Sequence, residues 1–324
     1  MDDLRQAWEQ DGYVVLRGVA PTEQIAAYAH ELAANRDGLL VRSPGDEHVS
    51  HVSLASTNQY SDGGLGAVDP YALSAAARAL LLPPDLVRFL TRDVFNNDAP
   101  LLFDAVETEA GAPDDGPFRD ATYVALATEP CTLVTATVAL DAGVELTLFP
   151  GSQRISITPF SGRYRAYNPE RDGDAALQRH RDELIAALGK GHPSETITLN
   201  PGDALLCSAD LVHNPVTGSA LIAHLCPVRV QPSWFIYRPE RARHAAHADG
   251  TAWIATQHYD LLDAVAPEEP PIGVQDEPEL ERVAQALREH DEGAAPQHPP
   301  VSGRRGGGLV DSVRGLMNRR GRNS

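Results

Sequence analysis

Cysteine is scarce in this chain. Cys131, Cys207 and Cys226 are the only three in 324 residues, too few and too widely spaced for a disulfide framework or a cysteine-rich zinc site. Each lies in an apolar run, so simple burial is their expected role. Long apolar runs are missing too: none approaches the ~20 residues a membrane-spanning helix requires. The opening Met1-Asp2-Asp3-Leu4 lacks the basic and apolar regions of a secretory signal, so a cytoplasmic protein is expected. Positive charge is in deficit. With 27 Lys and Arg against 45 Asp and Glu, the formal net charge of −18 would repel a phosphate backbone, which argues against a nucleic-acid partner. Familiar catalytic motifs are also absent. Phe149-Pro150-Gly151-Ser152-Gln153 is not a Gly-x-Ser-x-Gly elbow. Gly306-Gly307-Gly308 has no following Lys-Ser/Thr and no preceding strand, so it is not a phosphate loop. Cys207 falls on a strand with His213 at its exit, an arrangement unlike a nucleophile and its base. There is no internal repeat.

What is present suits one large domain with a tail. The hydrophobic fraction of 42% and the charged fraction of 22% are ordinary for a globular chain long enough to bury a substantial core. A short helix over residues 4–8 leads through Gly12 into the strand Tyr13-Val14-Val15-Leu16. Thr22 is placed to cap a helix in which Ile25, Tyr28, Ala29 and Leu32 recur at helical spacing, with Gly38 as its stop. Residues 43–70 show no sustained period. Helix is expected over 70–95, broken at Pro83-Pro84.

From residue 101 the pattern changes to short apolar and β-branched runs at 101–108, 121–127, 132–140, 145–149, 196–199, 204–208, 220–226 and 233–237. This spacing fits a sandwich or jelly roll better than a βαβ alternation. A helix over 174–188 interrupts the series, and further helix is expected over 252–265 and 278–288. Residues 291–308 read as a linker that buries too little to offset its ordering entropy. In the last stretch Leu309, Val310, Val313, Leu316 and Met317 lie among Arg304, Arg305, Arg314, Arg319, Arg320 and Arg322. It reads as a frayed solvated tail or as a basic amphipathic piece making weak membrane or protein contact.

Three local signatures share one order. The first is Trp8-Glu9-Gln10-Asp11-Gly12-Tyr13-Val14-Val15-Leu16-Arg17-Gly18. The second is Ala139-Leu140-Asp141 with Leu148-Phe149-Pro150-Gly151-Ser152-Gln153-Arg154, and the third is Pro201-Gly202-Asp203-Ala204-Leu205-Leu206 with Ala209-Asp210-Leu211-Val212-His213. Together they resemble the phytanoyl-CoA dioxygenase family of the Fe(II)/2-oxoglutarate-dependent oxygenases, over about residues 6–240. The resemblance implies a mainly β protein with flanking helices (α+β) and a double-stranded β-helix, or jelly-roll, core. It divides the chain into a jelly-roll domain with N-terminal helices at 1–240, a helical extension at 241–290, and a disordered linker and basic tail at 291–324.

The resemblance also implies a metal site, which this chain matches only in part. The family holds Fe(II) with two histidines and a carboxylate, the first pair written His-x-Asp, because alternate residues at a strand end face the same ion. Here the stretch is Pro117-Phe118-Arg119-Asp120, so Asp120 and the distal His213 stand as residual ligands and Phe118 occupies the place of the missing histidine. A phenyl ring has no lone pair to give. The stretch Asp46-Glu47-His48-Val49-Ser50-His51 is another source of histidine. Without metal, Asp120 would cap or pair locally, and His213 would be a buried histidine hydrogen-bonded near it. The arginine with which relatives grip 2-oxoglutarate is also missing: its place falls at Ser219 or His224 depending on a gap, and the next arginine is Arg229. His224 and Arg229 are therefore the substitutes to examine. Gln153 replaces a turn histidine that is not a ligand in the family.

Two functions follow from this reading. One is a diverged, non-catalytic or metal-independent relative that binds a small molecule. The other is an active Fe(II)/2-oxoglutarate-dependent hydroxylase of a small organic metabolite, using a repaired site. The insertions at 43–70 and 155–195 are expected at the pocket rim, where Arg163, Tyr164, Arg165 and Tyr167 would meet an acidic or aromatic ligand or form a solvated, salt-bridged loop.

Overall fold

A computed structural model of the chain describes residues 2–35, 40–42, 50–51, 66–108, 116–124, 126, 132–230, 232 and 243–261. In chain order the elements are α1 (Asp2–Asp11), β1 (Tyr13–Leu16), α2 (Thr22–Ala34), β2 (Leu40–Arg42), β3 (Ser50–His51), β4 (Gly66–Ala67), α3 (Ala75–Leu81), α4 (Pro84–Phe89) and β5 (Pro100–Thr108). They continue with β6 (Val134–Ala139), β7 (Val144–Phe149), α5 (Pro169–Asp172), α6 (Asp174–Leu188), β8 (Glu195–Leu199), β9 (Ala204–Ser208), β10 (Val212–His213), β11 (Ala220–Pro227), β12 (Arg243–Ala246) and β13 (Trp253–Thr256). A seven-stranded sheet in the order β1-β9-β6-β11-β5-β13-β12 faces a three-stranded sheet in the order β10-β7-β8, and β3-β2-β4 form a third, smaller sheet. This is a jelly-roll core with helices on one side.

Alternation along the strands sorts the side chains between two cores. Val14, Val134, Ala136, Leu206, Ala223 and Leu225 pack with Tyr28, Leu80, Leu86 and Phe89 of the helices. The residues between them in sequence turn the other way: Val15, Leu205, Cys207 and Ile222 pack with Val144, Leu146, Leu148 and Leu199 of the smaller sheet. A period of two is what a pleated strand imposes when both its faces are covered. Cys207 and Cys226 are buried, whereas Cys131 lies outside the described residues.

The three signatures are fasteners for one another. Asp203, in the Pro-Gly-Asp turn, accepts hydrogen bonds from the Gly18 amide at 2.8 Å, the Arg17 guanidinium at 2.7 Å and the Asn200 amide at 2.9 Å. Gly202 has φ +83°, and a Cβ there would come within 2.0 Å of the Ala20 carbonyl oxygen, so only glycine fits. At the other end, the Gly151 amide donates to the Asp11 carbonyl at 2.9 Å, and Arg154 donates to the Gln10 carbonyl at 2.7 Å and also to that of Glu9. Arg154 thus satisfies carbonyls left open at the C-terminus of α1. The buried Ser152 hydroxyl accepts from the Val212 amide at 2.8 Å, which ties the same turn to the strand carrying His213.

Several expectations need correction. The described residues of the 121–127 run are not in a strand: a 3-10 turn spans Asp120–Thr122, and Leu126 makes an isolated bridge to Pro232. The turn satisfies its own amides, Tyr123 and Val124 both donating to the Asp120 carbonyl. Within 252–265, Trp253–Thr256 is strand rather than helix: β13 lies parallel to β5 and β12 pairs antiparallel with it. The aromatic and β-branched residues of Trp253-Ile254-Ala255-Thr256 suit a pleated surface, and they extend the main sheet beyond β5 where a helical extension was expected. Pro21, not Thr22, occupies the N-cap position of α2, with no side-chain capping bond. The expectations for Gly38, 233–237, 278–288 and 291–324 lie outside the described residues. No helix among the described residues is long and apolar enough to cross a membrane.

Candidate functional site

Phe118 and His213 face each other across an isolated antiparallel bridge. The Phe118 amide donates to the His213 carbonyl at 2.9 Å and the His213 amide to the Phe118 carbonyl at 3.0 Å. Their rings lie against each other, with centroids 4.5 Å apart and planes 57° apart. Two residues on, Asp120 begins the 3-10 turn, and its Oδ2 lies 3.0 Å from His213 Nε2 while accepting from the Thr135 hydroxyl at 2.6 Å. The other imidazole nitrogen, Nδ1, is 2.9 Å from the Asn214 carbonyl.

The protonation state of the pair follows from these partners. Burial alone would push the Asp120 carboxyl up, but the His213 charge and hydrogen bond, with the Thr135 bond, hold it well below the usual carboxylate range. Burial would likewise push His213 down, and the Asp120 carboxylate overrides it and raises the imidazole. An ionised carboxylate and a carbonyl are both acceptors, so both ring nitrogens of His213 donate. The pair is an imidazolium–carboxylate contact, with side chains 5% and 12% exposed.

A second pair lies beside the first. In the main sheet Tyr13, Cys207, Thr135, His224 and Asp104 occupy matched positions on β1, β9, β6, β11 and β5, forming one row that faces the smaller sheet. His224 Nδ1 lies 2.8 Å from Asp104 Oδ2, and its Nε2 is buried without a hydrogen-bond partner. Burial opposes the charge on His224, yet the hydrogen bond and charge of Asp104, with a contribution from Asp120, raise its pKa. His224 is thus the inward-facing residue at the expected arginine position. Ser219 lies just before β11, five residues away and of opposite strand parity. Arg229 is not brought to the site: it sits on a turn past β11, 75% exposed, 3.6 Å from Asp98.

Iron held by two histidines and a carboxylate does not fit these residues. Among the described residues no group of three His, Cys, Asp or Glu side chains could hold a metal ion, and Phe118, where the resemblance expects the first histidine, packs a ring with no lone pair against His213. His48 lies outside the described residues. For His51 only the backbone is described, paired with Leu40 across β2 and β3. His224, one of the two positions where the resemblance expects the 2-oxoglutarate arginine, is already bonded to the Asp104 carboxylate.

The sequence reading missed three members of this cluster. Thr135 joins Asp120 to the main sheet, and Asp104 orients His224. The buried Asp69, at φ 45°, accepts from the Ala105 amide at 2.9 Å and the Thr256 hydroxyl at 2.7 Å. Burial and the nearby Asp104 push its carboxyl up to about 8. Two signals were available: a lone charge inside the apolar run Leu101-Leu102-Phe103-Asp104-Ala105-Val106, and the turn-initiating pair Asp69-Pro70. At the rim, Arg165 pairs with Asp210 at 3.2 Å, and Arg171 stacks 3.6 Å over the Tyr164 ring.

Comparison with known proteins agrees with this architecture. The non-heme alpha ketoglutarate dependent carbocyclase SnoK from nogalamycin biosynthesis superposes with a TM-score of 0.50 at 14% identity, covering 72% of this chain and 86% of its own. That likeness shows the fold alone. EctD from S. alaskensis with bound Fe superposes with a TM-score of 0.49 at 16% identity, covering 70% of this chain and 77% of its own. No curated protein matches the chain in sequence. Residues 8–215, well over half of the chain, match the family Phytanoyl-CoA dioxygenase (PhyH), and the chain is a member of that family.

Proposed function

We propose that this family member has left iron and 2-oxoglutarate chemistry and binds a small molecule through a metal-independent site. The observation that carries the reading is the Phe118 ring packed at 4.5 Å against the His213 imidazole, in the place of the missing ligand. Affinity and selectivity for Fe(II) depend on the number and geometry of donors, so one carboxylate and one imidazole hold it far more weakly than a triad. His213 would also have to give up the proton it shares with Asp120 before it could ligate. The loss of the arginine is a second, independent change in the same direction, since His224 is bonded to Asp104.

The surviving Asp120–His213 contact favours a second reading, an active Fe(II)/2-oxoglutarate-dependent hydroxylase whose third ligand comes from elsewhere in the chain. One experiment separates the two. The full-length protein is mixed anaerobically with Fe(II) and 2-oxoglutarate, the visible charge-transfer band is sought, and succinate is measured after oxygen is admitted. The proposal expects neither band nor succinate. A stoichiometric band followed by turnover establishes the hydroxylase instead.

A further inference from the structure

We propose that the guanidinium of Arg119, with His180 and Arg181 beside it, forms a binding site for a small oxyanion, the carboxylate or phosphate end of a ligand. The inference goes beyond the metal-independent reading and does not rest on it. Phe118 and Asp120 both turn to His213, whereas Arg119 between them turns the other way, as alternation along an extended backbone requires. There its Nη2 donates to the Ser152 carbonyl at 2.7 Å and to the Ile155 carbonyl at 2.9 Å. The residue is 7% exposed, and its Nε is buried with no hydrogen-bond partner. A guanidinium cannot shed its charge, and a buried charge is as a rule paired with an opposite one. Here the hydrogen bonds go to neutral carbonyls. Asp210, the acidic charge that reaches Arg119, is itself paired with Arg165 at 3.2 Å.

The adjoining wall is basic too. His180, on α6, stands within the field of both Arg119 and Arg181; its Nε2 lies 3.2 Å from the Thr122 hydroxyl, and its ring stacks on Phe160 with centroids 4.7 Å apart. Arg181, half-buried, donates to the Tyr123 hydroxyl at 3.0 Å, again a neutral group. Glu183 is the acidic charge acting on His180, and its carboxylate accepts from the Thr158 amide at 3.1 Å. The Tyr123 ring, 45% exposed, marks the side open to solvent. Size and shape then give the ligand class. Arg119 is too enclosed to meet a large partner, and a body of formal net charge −18 repels extended anions, so the attraction is local and suits a small one. The planar guanidinium matches the oxygens of a carboxylate or phosphate, and either supplies both the acceptor that Nε lacks and the missing negative charge.

The test uses EDTA-treated full-length protein labelled with nitrogen-15 histidine, at neutral pH and constant ionic strength. Sodium phosphate and sodium acetate are each exchanged for sodium chloride while the His180 ring signals are followed, assigned by their loss in His180→Gln. One oxyanion or both should shift those signals saturably and bind about tenfold or more tighter than chloride. Tighter binding of phosphate assigns a phosphate-bearing ligand, and tighter binding of acetate a carboxylate. Arg119→Gln should weaken the binding about tenfold or more, and Arg181→Gln, which leaves the bonds of Arg119 to Ser152 and Ile155 in place, about threefold or more. The inference is overturned if neither oxyanion outcompetes chloride, which leaves only a water at Nε, or if binding survives unchanged in Arg119→Gln. Should that variant fail to fold, equal binding by Arg181→Gln and the unaltered protein overturns it. Neither iron nor 2-oxoglutarate is present, so the outcome is separate from the oxygenase assay: succinate production there would sink the metal-independent reading and leave the anion site standing.

Discussion

Replacing His213 by phenylalanine removes the cation bonded to the nearly buried Asp120 carboxylate, and should cost about 3–5 kcal/mol of stability. The magnitude follows from the geometry. The Asp120 side chain is 12% exposed and that of His213 5%, their contact is 3.0 Å, and after the substitution the Asp120 carboxylate keeps, among the described residues, the side-chain bond from Thr135. Asp120→Leu, the reverse deletion, strands an imidazole that can shed its charge, so its cost should be smaller, about 2–3 kcal/mol. With both residues apolar no charge is left unpaired. The double variant should therefore fall short of the summed losses by about 2–3 kcal/mol. Urea unfolding in EDTA-treated buffer, followed by far-UV circular dichroism and tryptophan fluorescence, measures all four proteins. Additivity within about 0.5 kcal/mol, or a gain in stability from either single change, would refute the reasoning. That outcome is expected of two side chains held apart and aimed at an ion, which strain a metal-free fold instead of locking it.

Stability should also fall as pH rises above the mildly acidic range. The Asp69 carboxyl, pushed up to about 8 by burial and by Asp104, keeps its proton in the fold while the unfolded chain loses it near its ordinary 3.8, so between these values alkali favours unfolding. His213 and His224 act in the same direction: burial pulls both down, their carboxylates outweigh it, and the stabilisation present below 6.5 is lost as pH climbs through the raised values. Asp120, held low by His213 against the effect of burial, sets the acid limb, lost as pH drops below 3.8. Urea midpoints should peak near about pH 4, where the Asp120 limb ends and the Asp69 limb begins, and decline towards pH 8, and Asp69→Asn should flatten that decline. Gly202→Ala, at φ +83° with the Ala20 carbonyl oxygen 2.0 Å from the new Cβ, should cost more than about 2 kcal/mol, while Gly18→Ala, at φ +61° with nothing within 4 Å, should cost about 1 kcal/mol. The same urea series checks both.

Much of the fold was legible because its signatures are local. The helix over residues 174–188 and the strands β5 to β9 and β11 declare themselves by period and by their Gly, Pro and Asp boundaries, whereas the two-residue β10 does not. The 121–127 segment misled because its apolar, β-branched composition suits a strand, whereas the Thr122 amide bonds back to Arg119 and those of Tyr123 and Val124 to Asp120, a choice made by the turn. The stretch around Trp253 misled for the opposite reason. Its helical spacing competed with a free sheet edge beside β5, and only tertiary structure supplies that edge.

At the site, Phe118, Asp120 and His213 could be aligned by motif because each has a fixed offset from a recognisable turn. Their pairing could not, since 93 residues separate Asp120 from His213. His224 remained one of several positions until the ladder to Thr135 and Asp104 fixed which way it faces. Arg229 looked eligible by strand parity alone, and the turn after Pro227 carries it away to Asp98.

The central claim, that a phenyl ring has displaced an iron ligand, is tested most directly by anaerobic calorimetric titration of Fe(II) into the metal-free full-length protein and into its Phe118→His variant. The account predicts no saturable one-to-one heat in the micromolar range from the unaltered protein, and its appearance once an imidazole stands at position 118 beside Asp120 and His213. Stoichiometric micromolar binding by the unaltered protein, unchanged by Phe118→His, would contradict it.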